Sequence, residues 1–374
     1  MSKKTYSYGR QQVDDADVEA VVAALKSDWL TQGPLVQIFE EALCARVGAR
    51  YASVVANGTA ALHLAALALG WKRGDVVITS PITFLASANC IVYVGATPDF
   101  VDIDARYYTI DVEKLEDRLK SYRSRGLAVR AVIAVDYAGQ PCDWPALRQL
   151  ADRYGFQLVN DCCHALGATY KGDHAYAARF ADVVTLSFHP VKHITTGEGG
   201  AVVTNDVEID RKVKLLRTHG MTRDPGTLRQ QEGPWYYEMH ELGYNYRISD
   251  FQCALGISQL KKLDSFLAGR RRVAQQYDQK FAPNAGIEVP AIRPDVEHAY
   301  HLYPLQIPLA EQGIAKKEFF DRMKQRGILC QVHYIPVHLQ PYYREHFRTR
   351  EGVCPVAEAF YRREVSLPMY PALD

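Results

Sequence analysis

The chain has no Cys-x-x-Cys pair. Its eight cysteines (Cys44, Cys90, Cys142, Cys162, Cys163, Cys253, Cys330 and Cys354) are scattered along 374 residues. That spacing argues against a zinc site or a redox motif, so no metal is expected, and it predicts reduced thiols in a cytoplasmic protein. A surplus of one charge is missing as well. Lys+Arg is 44 and Asp+Glu is 43, so nothing directs the chain toward nucleic acid. Apolar stretches reach only strand or core-helix length, too short to span a bilayer. Residues 1–6 carry basic side chains without an apolar run behind them, so a secretory signal is not expected. Repeats and low-complexity linkers are also absent. What is left is an ordinary soluble composition at a length beyond one core, which predicts a large domain and a smaller one.

Present instead is a long alternation of strands and helices. Residues 14–27 predict a helix capped by Asp14, with Val18, Val21, Val22 and Leu25 on one face. Residues 28–34 break it, and a second helix is expected over 35–47. Apolar strands then read at 52–56, 76–79, 99–102, 129–135, 156–159, 183–186 and 200–204. Helices are expected between them at 60–69, 84–93, 111–122 and 145–154. Continuous apolar strands separated by helices imply an α/β fold with a mostly parallel sheet covered on both faces. Ligands on such sheets bind where strands end. Beyond residue 250 the pattern changes to a helical stretch over 249–281, strand-like pieces at 303–307 and 328–332, and helices near 315–325 and 355–364. The expected division is a large domain over 1–250 and a smaller α+β domain over 251–374.

The chemistry-bearing residues fall at the predicted strand ends. Lys192 follows Ser187-Phe188-His189-Pro190-Val191 and precedes Gly197-Glu198-Gly199-Gly200. A lysine among apolar residues and permissive glycines is suited to shed its proton and attack an aldehyde, because desolvation disfavours the ammonium. Asp161 ends another strand, where a carboxylate can keep a pyridinium nitrogen protonated. Asn57-Gly58-Thr59 opens a helix, so its N–H groups and the Thr59 hydroxyl make an anion cradle that Ser187 can join. Phe84 is placed to stack on a ring, and His164 to touch it. Taken singly, each has a plainer reading: a capped turn, a strand-end serine, a capping aspartate, a core histidine, a core phenylalanine. Together they spell a Schiff-base lysine, a ring-nitrogen aspartate and a phosphate site, the set that pyridoxal 5′-phosphate requires.

These stretches resemble the DegT/DnrJ/EryC1/StrS nucleotide-sugar aminotransferases. The likeness is carried by Asn57-Gly58-Thr59-Ala60-Ala61-Leu62, Asp161-Cys162-Cys163-His164-Ala165-Leu166-Gly167, Ser187 through Gly200, and Gly243-Tyr244-Asn245-Tyr246-Arg247. It implies the aspartate aminotransferase-like fold, fold type I, with Lys192 as the cofactor-holding lysine. It further implies a homodimer with shared sites, in which Asn245 reaches the phosphate from the partner subunit. Tyr8, Trp29, Leu30, Thr31, Gln32, Gln331, His333 and Tyr334 would border the substrate. A narrower likeness rests on Tyr8-Gly9-Arg10-Gln11, residues 26–34, Ser80-Pro81-Ile82-Thr83-Phe84, residues 138–143 and residues 233–239. It implies transfer of an amino group from L-glutamate to a UDP-linked 4-keto-6-deoxy-N-acetylhexosamine in pseudaminic acid biosynthesis. A GDP-linked keto sugar, as in perosamine formation, stays open. Sugar 3-dehydratases of the family carry histidine in place of the lysine, and a regulatory homologue would not need the complete set. Asn160 stands where the family commonly has an acidic residue, with little consequence expected for the ring chemistry.

Overall fold

The computed structural model describes residues 4–373. Helix α1 (Asp15–Leu25) begins with a reciprocal cap: the Asp14 carboxylate accepts the Asp17 N–H, and Asp17 accepts the Asp14 N–H. Its apolar face does not behave as the pattern predicts. Val18, Val22 and Leu25 are exposed, while Asp17 and Ala24 are buried. The helix is held instead by Asp17, which accepts from Gln259 Nε2 at 2.7 Å and from Lys262 Nζ at 2.6 Å. Helix α2 (Pro34–Val47) starts on a proline and stops at Gly48, which takes the left-handed conformation.

Seven strands form the central sheet: β1 (Tyr51–Val55), β2 (Val76–Thr79), β3 (Thr97–Phe100), β4 (Ala131–Val135), β5 (Gln157–Asp161), β6 (Val183–Ser187) and β7 (Gly200–Thr204). Their order is β1-β7-β6-β5-β4-β2-β3. All run the same way except β7, which is antiparallel to both neighbours. Successive residues face two different cores. Val54, Ile78, Val132, Leu158, Val184 and Val203 pack on one side with Phe39 of α2. Val55, Val77, Ile133, Val159, Val183 and Val202 pack on the other with Leu64 and Ala65 of helix α3 (Gly58–Ala68). Burial on both faces is why these strands read as unbroken apolar runs.

A separate core lies in the last third of the chain. Val273 and Ala274 of the helix Leu263–Phe281 pack on Tyr303, Leu305, Val365 and Leu367. Those four come from an antiparallel pair, β8 (Tyr303–Gln306) and β9 (Glu364–Leu367). The helix expected over 249–281 is two helices, Asp250–Leu260 and Leu263–Phe281. The break falls where Lys262 reaches across to Asp14 and Asp17. The strand expected at 328–332 is not formed as such. Ile328 bridges Tyr6 and Gln331 bridges Ser366, so the segment changes partners midway and leaves residues 331–334 free to face a cavity. Among the described residues, no helix is long and apolar enough to cross a membrane.

Candidate functional site

The register brings three chain segments to one edge of the sheet. Val55 at the end of β1 and Ser187 at the end of β6 both pair with Gly200 at the start of β7. Asp161 ends β5 beside them. A cavity of about 690 Å³ opens there.

Close backbone approach builds one corner of it. A Cβ on Gly58 would lie 2.9 Å from Ser187 Cβ, and one on Gly200 would lie 2.6 Å from the Asn57 carbonyl carbon. Only glycine fits at either position. The Asn57 side chain accepts the Ala60 N–H at 2.8 Å and caps α3. That leaves the N-terminus of α3 at Gly58 and Thr59, with Ser187 beside it, on the cavity wall. Converging N–H groups, the positive helix end and nearby hydroxyls suit a dianionic phosphate.

Asp161 is buried and rigidly held. Its Oδ2 accepts the Ser87 hydroxyl at 2.6 Å, and its Oδ1 accepts the Cys163 N–H at 3.2 Å. Ser87 is in turn bonded to Thr83 at 2.7 Å. Behind it lies a second buried carboxylate, Asp136. This one accepts from the Cys142 N–H (2.8 Å), Trp144 Nε1 (3.0 Å), Asn160 Nδ2 (3.1 Å) and the Tyr176 hydroxyl (2.8 Å). Burial outweighs those donors and pushes its carboxyl up to about 6. Asn160 therefore has a definite task. It donates to Asp136, and an acidic residue there would set a second negative charge against it.

Lys192 reaches the same cavity from the loop after β6. Burial draws its amine below the usual lysine value, opposed by the charges of Cys163 and Asp161. Its Nζ lies 3.4 Å from His301 Nε2. His164, His193 and His301 are all buried, and burial first, then the charge of Lys192 for His164 and His301 and of Arg270 for His193, holds each well below the ordinary histidine value. The three rings are therefore neutral. His164 Nδ1 accepts the Ala138 N–H at 3.3 Å, so its proton sits on Nε2, which faces the Tyr334 hydroxyl at 3.1 Å.

Tyr8, Gln331, His333 and Tyr334 line the same cavity. Phe84 lines the cavity with 56% of its surface exposed and its ring 6.2 Å from that of Tyr334, so it is not spent on core packing. Five expected residues do not line the cavity. Trp29 and Leu30 are 55% and 50% exposed. Thr31 pairs with Ser249, and Gln32 borders a different cavity of about 500 Å³ with Glu40 and Arg217. This segment is fastened to the start of the helix Asp250–Leu260: Leu30 accepts the Asp250 N–H, and the Asp250 carboxylate accepts from Gly33 and Leu35. Asn245 is exposed and pairs with Thr218.

Sequence reasoning missed His301, Ser87 and Asp136. The close pair His298 and His301 in an apolar setting was a usable signal. Ser87 and Asp136 carried none, since each matters only through a neighbour distant in the chain.

Comparison with known proteins places this geometry. The DegT/DnrJ/EryC1/StrS aminotransferase family matches residues 11–374. A UDP-4-amino-4,6-dideoxy-N-acetyl-beta-L-altrosamine transaminase of Campylobacter jejuni is 39% identical over 98% of this chain and 93% of its own. The structure of Helicobacter pylori PseC, an aminotransferase involved in the biosynthesis of pseudoaminic acid, superposes with a TM-score of 0.89 at 34% identity, covering 99% of this chain and 95% of that one. A putative sugar aminotransferase of Streptococcus pneumoniae, solved in PLP and PMP forms, superposes with TM-scores of 0.87 and 0.86 at 28% identity, covering 99% of this chain and 95% and 94% of those. The glycine-lined cradle, the fixed carboxylate and the desolvated lysine fit the phosphate, ring nitrogen and aldehyde of pyridoxal phosphate. The chain belongs to the DegT/DnrJ/EryC1/StrS aminotransferase family, an enzyme family whose amino transfer depends on that cofactor.

Proposed function

We propose that this enzyme moves the amino group of L-glutamate to the 4-keto group of a UDP-linked 6-deoxy-N-acetylhexosamine, UDP-2-acetamido-2,6-dideoxy-beta-L-arabino-hex-4-ulose, on a route to pseudaminic acid. The carrying observation is one cavity that joins a desolvated amine, a fixed carboxylate and an anion cradle to an open, hydroxyl-rich wall. The likeness to the Campylobacter and Helicobacter enzymes over nearly the whole chain supports the choice of sugar.

When bound, pyridoxal phosphate supplies an electron sink and a carrier for the amino group. Gly58, Thr59 and Ser187 would hold its phosphate. Asp161 keeps the ring nitrogen protonated, and its two hydrogen bonds prevent it from turning away. Phe84 would cover the ring and His164 would touch it, both lining the cavity. Lys192 would hold the cofactor, and its freed amine would take the proton from the amino acid Cα and deliver it within the same half-reaction, then move a proton in the reverse sense when the keto sugar is the substrate. Its lowered basicity leaves more of the amine free to accept that proton at neutral pH. Tyr8, Gln331, His333 and Tyr334 orient the sugar. A second copy of the chain brings Asn245 and residues 29–32 to the site, which accounts for their exposure here. Lysine at 192 favours transamination over dehydration.

The test is incubation of the purified protein with L-glutamate and the UDP-keto sugar. Stoichiometric 2-oxoglutarate and a 4-amino sugar are expected. A change in cofactor absorption with glutamate, but turnover only with a GDP-linked keto sugar, would replace the substrate and keep the reaction.

A further inference from the structure

Behind the substrate wall lies a polar chain that the reaction above does not use. Glu364 and Ser366 stand two apart on β9 and so share a face of the strand. Both are fully buried. Glu364 Oε2 accepts the His333 N–H at 3.0 Å, and its Oε1 lies 2.5 Å from Ser366 Oγ. Ser366 Oγ lies 2.8 Å from His333 Nδ1. From the other side, the Tyr137 hydroxyl donates to the His333 carbonyl at 2.5 Å. The backbone of His333 is thus tied at its N–H and its C=O, and its ring is tied at Nδ1. Nε2 is the ring nitrogen left for the cavity that His333 lines.

We propose that Glu364 and Ser366 are positioning residues that lock the ring of His333 in a single neutral tautomer, so that Nε2 presents one defined hydrogen-bonding polarity to a hydroxyl or amide group of the bound sugar. The argument is proton bookkeeping. Ser366 has one proton. If it donates to Glu364, its oxygen accepts from Nδ1–H and Nε2 is a bare acceptor. If Glu364 donates to Ser366, every bond in the chain reverses and Nε2 carries the proton. Burial raises the Glu364 carboxyl to about 8, opposed by the Ser366 hydrogen bond, the Lys316 charge and the His333 N–H, so near neutral pH the second sense prevails and Nε2 is the donor. His333 itself stays neutral, since burial and then the Lys192 charge push it down to about 3. The rings of Tyr8 (5.2 Å) and Tyr334 (4.9 Å) pack against it and prevent a flip. A ring that is neutral, oriented and of fixed polarity rejects a substrate whose polar group is absent or reversed, because a buried partner is then left unpaired. This proposal sharpens, and rests on, the reading of residues 331–334 as a sugar-contacting wall.

The experiment compares wild-type holoenzyme with Ser366→Ala and Ser366→Thr. Side-chain ¹⁵N NMR, with His333 assigned through His333→Gln, reads the tautomer without any substrate. Wild type and Ser366→Thr are expected to show one neutral tautomer, and Ser366→Ala a mixture. KM for the keto sugar should rise about tenfold in Ser366→Ala. The rate of cofactor conversion by glutamate should hold, and Ser366→Thr should restore KM. A tautomer mixture in wild type, or an unchanged KM in Ser366→Ala, would overturn the proposal. A single tautomer in an enzyme that does not turn over the UDP-keto sugar would instead count against the substrate, since the NMR result is independent of it.

Discussion

The wall of the cavity proposed to hold the cofactor hangs from the ends of β1, β5 and β6, with Gly58 pressed against Ser187, Gly200 against the Asn57 backbone, and a carboxylate fixed by two donors. The wall proposed for the substrate is assembled from Tyr8 and from residues 331–334, whose one bridge, from Gln331 to Ser366, joins them to β9 and not to the central sheet. The first wall inherits its rigidity from a sheet buried on both faces. The second is held by side-chain bonds, of which the Glu364–Ser366–His333 chain is the best made. Ring chemistry needs fixed groups, whereas substrate choice varies among enzymes with the same chemistry. Placing the second on loops lets it change without disturbing the first.

The comparison predicts that changes on the cofactor wall damage both half-reactions and those on the substrate wall damage one. Lys192→Ala is the largest. Losing the base should lower transamination by ~10³-fold or more in both directions, while cofactor still binds through the cradle and Asp161. Stopped-flow absorbance with glutamate and with keto sugar checks both halves. Retained turnover would remove the lysine from its role. Asp161→Ala comes next, with both half-reactions reduced by roughly 10²-fold and weaker cofactor retention on dialysis. If only the sugar half-reaction suffered, the two walls would not be separate.

Asp136 tests the foundation of the cofactor wall. Burial raises its carboxyl to about 6 in the folded protein, above the unfolded value near 3.9. The protonated form is therefore favoured by folding. The associated stability is full below pH 4 and is lost as pH rises through about 6, on the order of 3 kcal/mol in all. Denaturation midpoints of the apo-protein at pH 5 and 7.5 should fall more steeply in wild type than in Asp136→Asn. Equal slopes would mean that the donors around Asp136, not its burial, set its charge.

The same contrast explains what could be read from the sequence. In a parallel sheet, residues at successive strand ends converge, so Asn57-Gly58-Thr59, Asp161, Ser187 and Lys192 could be placed together before any coordinates. His301 lies 109 residues from Lys192, in the segment just before β8, and no local pattern encodes their meeting. Ser366 sits in β9, a strand that the sequence does not announce after the helix expected near 355–364, and its bond to His333 depends on how β9 packs beside residues 331–334. The outward face of α1 differs for a related reason: amphipathic spacing says that a face is apolar, not that this chain covers it.

Tyr8 gives the smallest and most selective effect. It lies on the substrate wall with its ring 5.2 Å from His333, and partial burial raises its hydroxyl above the usual tyrosine value, so it stays protonated as a donor. Tyr8→Phe keeps the ring that supports His333 and deletes only the hydroxyl. One lost hydrogen bond to the sugar corresponds to about 1 kcal/mol, or roughly fivefold in KM. The loss should fall on the sugar half-reaction, with glutamate turnover close to wild type. Combined with Ser366→Ala, the two penalties should fall short of additive, because both act on the group that His333 addresses. Full additivity would separate the two residues and place the Tyr8 hydroxyl on another part of the substrate.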